Sequence, residues 1–336
     1  MDFSVNLNPC KIPDSIRESM KEGLSKCNAY PDIRQRSLLN KMARALHCKE
    51  EQLICGNGAS ELIMAYVRSL LPQCALLIRP CFSGYEHALG SLKDCRIKEI
   101  FLEEKENFRV TDKIAGLLTE DIDVMFLTDP WNPVGHNIEP KVLERILKRA
   151  EELDIAVLLD ISFLGMSEKY ETITEITHLI KRFKKLCIIG SFTKLFSLPG
   201  IRMGYALSDS ETIGNIRNNL PEWNLGSLEQ TVMEACTEYA WDREFLQNSY
   251  KEIEKGRKYL KNALTDLGFE LFPSDTSFLL IKGEENLCPK LLERKILIRD
   301  CGDYNGLCNG MYRIAVKDME SNETLIRNLK EVLNGD

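Results

Sequence analysis

The chain has 336 residues, 44% of them hydrophobic and 28% charged, with a formal net charge of -7. That length suits two domains, or one large domain and a smaller one. The acidic balance, with no basic cluster to follow a phosphate backbone, excludes a general nucleic-acid binder, and no apolar run is long enough to span a bilayer. Met1-Asp-Phe-Ser lacks a basic start and an apolar stretch, so no secretory signal and a cytoplasmic location are expected. The twelve cysteines are scattered without a C-x-x-C pair and read as reduced core residues. The four histidines (His47, His87, His136, His178) form no metal motif, so no metal is expected.

In chain order, Asn6-Leu-Asn8-Pro9 is a turn signal, and an amphipathic helix pattern starts at Pro13. Tyr30-Pro31-Asp32 is, by itself, another turn. Gln52 to Cys55 predicts a short strand and Glu61 to Leu71 an apolar helix. Between them, Gly56-Asn-Gly-Ala-Ser60 exposes backbone N–H groups at a positive helix end, which suits a phosphate. A dinucleotide fingerprint is disfavoured. Glu61 stands where its third glycine belongs, and the next strand, Ala75 to Ile78, ends in Arg79-Pro80 rather than an acidic ribose ligand. Phe82 follows that strand, where it either stacks on a flat ring or joins the core.

Val124 to Leu127 is a buried-strand run that leads into Asp129-Pro-Trp-Asn-Pro-Val-Gly135. Ile155 to Leu159 is another, and it ends in Asp160. A carboxylate there needs a partner, either an arginine or a protonated ring nitrogen. Leu186 to Gly190 is a third strand. It opens onto Ser191-Phe-Thr-Lys-Leu-Phe-Ser-Leu-Pro-Gly-Ile-Arg-Met-Gly-Tyr205. A lysine near cationic or apolar neighbours loses its proton more easily and can form a Schiff base with a carbonyl. Ser191, Thr193 and Arg202 are suited to a phosphate beside Lys194. The bland alternative for Lys194 is a solvated surface lysine. A long helix is predicted from about Leu228 through Leu264, and a strand over Phe278 to Ile281. Arg299 and Arg313 near strand ends either clamp a carboxylate and a phosphate or form ion pairs.

Taken whole, S-F-T-K-x-x-x-L-P-G-x-R-x-G-Y resembles the cofactor-lysine segment of class I/II aminotransferases, the fold-type-I pyridoxal phosphate enzymes. The resemblance implies that Lys194 bonds the cofactor, Asp160 pairs with its ring nitrogen, Asn132 holds its ring oxygen and Phe82 stacks. It implies that Gly58, Ala59, Ser60, Ser191, Thr193 and Arg202 take the cofactor phosphate, and that Tyr30 reaches the phosphate of a neighbouring subunit. A homodimer with shared sites is therefore expected. Asp129, Trp131 and Val134 depart from the family's N-P-N-N-P-T-G, and Trp131 is expected to add bulk beside the pocket. Asp160-Ile-Ser-Phe163 departs from D-E-A-F or D-E-A-Y by Ile161. Phe163, on the cofactor side, resembles the decarboxylase subgroup, whereas tyrosine is usual in histidinol-phosphate aminotransferases.

The opening Asp2-Phe-Ser-Val-Asn-Leu-Asn-Pro9 and the closing Ile-Leu-Ile-Arg299 to Tyr312-Arg313-Ile-Ala motif resemble threonine-phosphate decarboxylases of cobalamin biosynthesis. In those proteins a His-Gly-Gly-Asn segment comes before the arm, and this sequence begins after that place. The resemblance implies that Asn8, Asn132, Arg299 and Arg313 contact the substrate. The expected fold is α/β, a fold-type-I transferase with a mostly parallel sheet between helices and a smaller α+β domain. The expected parts are an N-terminal arm (1–25), a large cofactor domain (26–222) and a small domain (223–336). Decarboxylation of O-phosphothreonine or O-phosphoserine is the leading expectation. An aminotransferase, such as one for histidinol phosphate, and a non-catalytic protein of the same fold are the alternatives.

Overall fold

Near-continuous apolar runs become strands buried on both faces, as a parallel sheet covered by helices requires. A computed structural model describes residues 1–334; the last two positions of the expected 223–336 segment lie outside it. Within those residues, seven strands form the larger sheet: β1 (Leu53–Asn57), β2 (Cys74–Arg79), β3 (Arg96–Phe101), β4 (Val124–Thr128), β5 (Ala156–Asp160), β6 (Leu186–Ser191) and β7 (Met203–Leu207). Their order is β1-β7-β6-β5-β4-β2-β3, and only β7 runs against its neighbours. Four short strands form a second, antiparallel sheet: β8 (Glu270–Leu271), β9 (Phe278–Lys282), β10 (Arg299–Asp300) and β11 (Met311–Ala315), in the order β10-β11-β9-β8. The larger sheet lies in one apolar core, which also takes Phe278, Leu280 and Met311 from the second sheet; a separate core gathers Phe3, Leu260, Ile281, Ile314 and Leu325. This is the expected α/β architecture.

Two elements differ from the sequence reading. The long helix predicted from Leu228 to Leu264 is two helices, Ser227–Cys236 and Arg243–Asp266. No glycine or proline marks the break. Trp241 packs edge-on against Phe192 and Tyr205, and Asp242 starts the second helix by accepting from Phe245 N at 2.7 Å. The alternating Arg96–Phe101 segment, not anticipated, is the partly exposed edge strand β3.

The N-terminal arm ties the two sheets together. Phe3 N donates to Leu297 O, and Ala315 N donates to Phe3 O, beside β10 and β11. Further on, Asn8 N donates to Lys194 O at the larger sheet. The carboxyl ends of β2, β4, β5 and β6 open toward this arm, the edge where open α/β sheets hold ligands.

Candidate active site

One cavity of about 410 Å³ lies at that edge. Lys194 reaches it from a single helical turn, Phe192–Leu195, that starts immediately after β6. The Ser191 hydroxyl caps the turn by accepting from Thr193 N at 3.2 Å. The Thr193 hydroxyl accepts from Met203 N at 3.2 Å and sits 3.3 Å from Met203 O, pinning the lysine turn to β7. Burial first, then the charges of Arg202 and Arg313, lower the Lys194 pKa, and Asp160 opposes them. The bland reading of a solvated lysine is therefore set aside.

Asp160 ends β5 directly across from Thr128 of β4. It is buried, and its carboxylate accepts from Tyr85 Oη at 3.0 Å and from Ser162 N at 2.9 Å. The Tyr85 and Thr128 hydroxyls share a hydrogen bond of 2.7 Å. Burial raises the Asp160 pKa, against the pull of Ser162, Tyr85 and Lys194. Burial penalises the charged carboxylate, and a protonated ring nitrogen beside it would offset that penalty.

Phosphate-type donors gather on the other side. Gly58 has φ +82°, which admits glycine without strain, and precedes the helix Ala59–Leu70, whose first turn has no side-chain cap. A Cβ on Gly58 would stand 2.8 Å from Arg202 Nη2, so the guanidinium lies against the glycine turn. Ala59, Ser60, Ser191, Thr193 and Arg202 all line the cavity. Phe82 lines it too, with Gly84 giving its ring room: a Cβ there would stand 2.2 Å from Phe82 Cε1. An anion cradle, a flat side chain and a carboxylate around one lysine fit the phosphate, ring and ring nitrogen of pyridoxal phosphate.

Asn132, Phe163, Arg299 and Arg313 also line the cavity. Arg313 Nη1 donates to Asn132 Oδ1 at 2.6 Å and Nη2 to Ser4 O at 3.2 Å. Arg299 and Arg313 are direct partners across β10 and β11.

The chain matches the family described as aminotransferase class I and II over residues 1–329. The chain belongs to that family. It is 31% identical over 342 residues to a threonine-phosphate decarboxylase of Salmonella typhimurium, covering 100% of this chain and 92% of that one. A histidinol-phosphate aminotransferase of Methanocaldococcus jannaschii is 25% identical, covering 98% of this chain and 88% of that protein. Among solved structures, the histidinol-phosphate aminotransferase from Clostridium acetobutylicum superimposes with a TM-score of 0.90 at 28% identity, covering both chains fully. The protein is thus an enzyme of the pyridoxal phosphate-dependent class I/II type. No group of metal-ligating residues and no helix long and apolar enough to cross a membrane occurs among the described residues.

One residue expected to contact the substrate lies outside the cavity lining. Asn8 does not line the cavity. Its amide donates to Leu195 O at 2.9 Å and Ser249 Oγ at 3.0 Å, and its oxygen accepts from Cys10 N, so it anchors the arm. Trp131 is buried behind the lining residue Asn132, its indole donating to Pro80 O at 2.8 Å. Among the residues that sequence reasoning missed are Asn6, Ser4 and Tyr304, which line the cavity, and Tyr85, which holds Asp160. Asn6 Oδ1 is buried without a hydrogen-bond partner. Asn6 stands two residues before Asn8 in the same turn signal, and nothing local separates them. Tyr30 lies outside its own chain's cavity and is 84% exposed.

Proposed function

We propose that this enzyme removes the carboxylate of an O-phosphorylated amino acid, O-phosphothreonine or O-phosphoserine, as a cytoplasmic homodimer with shared sites. The observation that carries the reading is the pair Arg299 and Arg313, in register on adjacent strands and both in the cavity of Lys194. Two cations side by side suit a substrate with two anions, a carboxylate and a distal phosphate. Histidinol phosphate offers only the phosphate. Phe163, in place of tyrosine, and the 31% identical decarboxylase support the same choice.

Pyridoxal phosphate, when bound, draws electrons from the substrate's α-carbon. In this proposal Lys194 bonds the cofactor and moves protons at the α-carbon. Asp160 keeps a proton on the ring nitrogen. Asn132 holds the ring oxygen, and Phe82 and Phe163 flank the ring. Gly58, Ala59, Ser60, Ser191, Thr193 and Arg202 hold the phosphate, with Tyr30 from the partner. Thr193 acts through its position, since its hydroxyl is engaged with β7. Arg313 grips the substrate carboxylate and Arg299 the distal phosphate. Their grip would orient the substrate's α-carbon and so select which of its bonds the bound cofactor weakens. The division into arm (1–25), large domain (26–222) and small domain (223–336) belongs to the same proposal.

The test is incubation with O-phosphothreonine and no keto acid. Carbon dioxide and an amino-alcohol phosphate are expected. Amino transfer that needs a keto acid and releases no carbon dioxide would establish the second reading, an aminotransferase. That reading draws on the Clostridium structure, which matches this chain from end to end.

A further inference from the structure

The two cavity arginines are held by partners of different charge. Arg313 has neutral partners, the Asn132 amide oxygen, the Ser4 carbonyl and the Phe278 ring at 5.6 Å. Its positive charge stays available to a ligand. Arg299 is held by an anion: Nη2 donates to both Asp303 oxygens, at 2.9 and 2.7 Å, and the guanidinium stacks on Tyr304 at 5.2 Å. The Asp303 side chain is 63% exposed, so water takes it back readily. An ion pair of that exposure is weak, changing an equilibrium by no more than about fivefold.

The loop that carries Asp303 is anchored independently of this pair. Asn305 Nδ2 donates to Glu99 Oε1 at 3.2 Å, and Gly306 packs against Phe101 and Arg79 of the larger sheet. Asp303 can therefore release Arg299 by turning its side chain alone, and Tyr304 keeps the guanidinium stacked in place.

We propose that Asp303 is a resident counter-ion of Arg299, exchanged for the distal anion of the substrate, a phosphate monoester, when it binds. This rests on the reading that Arg299 takes that phosphate. Before substrate binds, the carboxylate satisfies a half-buried guanidinium that would otherwise lack an anion. On binding, a doubly charged phosphate replaces a single charge on the same donor. Asp303 acts through Arg299 and touches no reacting atom, so it is a positioning residue that sets anion affinity.

The experiment is calorimetric titration of holoenzyme with inorganic phosphate, the cofactor filling the other phosphate cradle. Parent, Asp303→Asn, Arg299→Gln and the double variant are compared, with melting curves to confirm folding. Asp303→Asn is expected to bind phosphate about three- to fivefold tighter. Its KM for O-phosphothreonine should fall with kcat unchanged, and the gain should vanish in the Arg299→Gln background. Weaker binding by Asp303→Asn would overturn the exchange and make Asp303 a fixed orienting partner. Unchanged binding overturns it as well. A different signature, unaltered phosphate affinity in Arg299→Gln alone, removes the Arg299 reading itself and the exchange with it.

Discussion

Lys194 owes its lowered pKa to burial and to two arginines, of which Arg313 also lines the cavity and is proposed to grip the substrate. Removing Arg313 therefore has two separable effects. Arg313→Ala should cost on the order of 2–5 kcal/mol in kcat/KM, since a charged ligand loses its partner in a buried setting. It should also let the Lys194 pKa rise. Uptake of cofactor by the apoenzyme needs the neutral amine, so its pH profile should move to higher pH in this variant. An unmoved profile, followed by cofactor absorbance, would mean that Arg313 does not act on Lys194. Lys194, Asp160, Asn132 and Phe82 were legible because each follows a recognisable apolar strand run. Asn6, Tyr85 and Tyr304 were not. Tyr85 meets Asp160 across 75 residues of chain, a contact that only the assembled sheet creates.

At the scale of elements, the segment from Asp129 to Ile138 shows how a local departure is absorbed. Asp129 stands where the family pattern has asparagine. Its Oδ1 accepts from Asn137 Nδ2 at 2.7 Å and from Ile138 N at 3.1 Å, fixing the loop that carries Asn132. Burial pushes its pKa up to about 6, against the hydrogen bonds of Asn137 and Ile138 and the charge of Lys169. A carboxyl raised from 3.8 in this way costs stability above pH 6, where the folded state holds it ionised. The cost fades as pH falls from about 6 toward the unfolded value. Asp129→Asn keeps an oxygen for both donors and removes the charge. It should raise stability by about 2 kcal/mol at pH 8, with the gain shrinking by pH 4 to 5. Denaturant midpoints at the two pH values decide this, and a loss of stability at pH 8 would sink it. The buried strands of the larger sheet were readable from their apolar runs. Strand β7 was hidden because Met203–Leu207 reads as the tail of the lysine motif, and its reversed direction is a property of pairing. The broken helix at 237–242 was hidden for a similar reason, since aromatic packing decides it.

The whole molecule presents a face that a single chain leaves uncovered. Tyr30 is 84% exposed and Trp223 43%, their ring centroids 5.1 Å apart, and Ile33 nearby in sequence is 43% exposed. Aromatic side chains clustered in water mark a contact surface. Tyr30 is absent from the cavity of its own chain, so its proposed phosphate contact has to be made in the partner's cavity. Tyr30→Ala should weaken cofactor binding about tenfold, the scale of a hydrogen bond to a charged group. Mixed dimers distinguish the two geometries. One chain carries Lys194→Ala and the other Tyr30→Ala. If Tyr30 works across the interface, one site of the mixed dimer has both an intact Lys194 and an intact Tyr30, and about half of the parental activity returns. If Tyr30 serves its own chain, no site is whole and the mixture is no better than the Tyr30→Ala enzyme. Sedimentation at working concentration should show a dimer. A fully active monomer would contradict the shared site regardless of the mixing result.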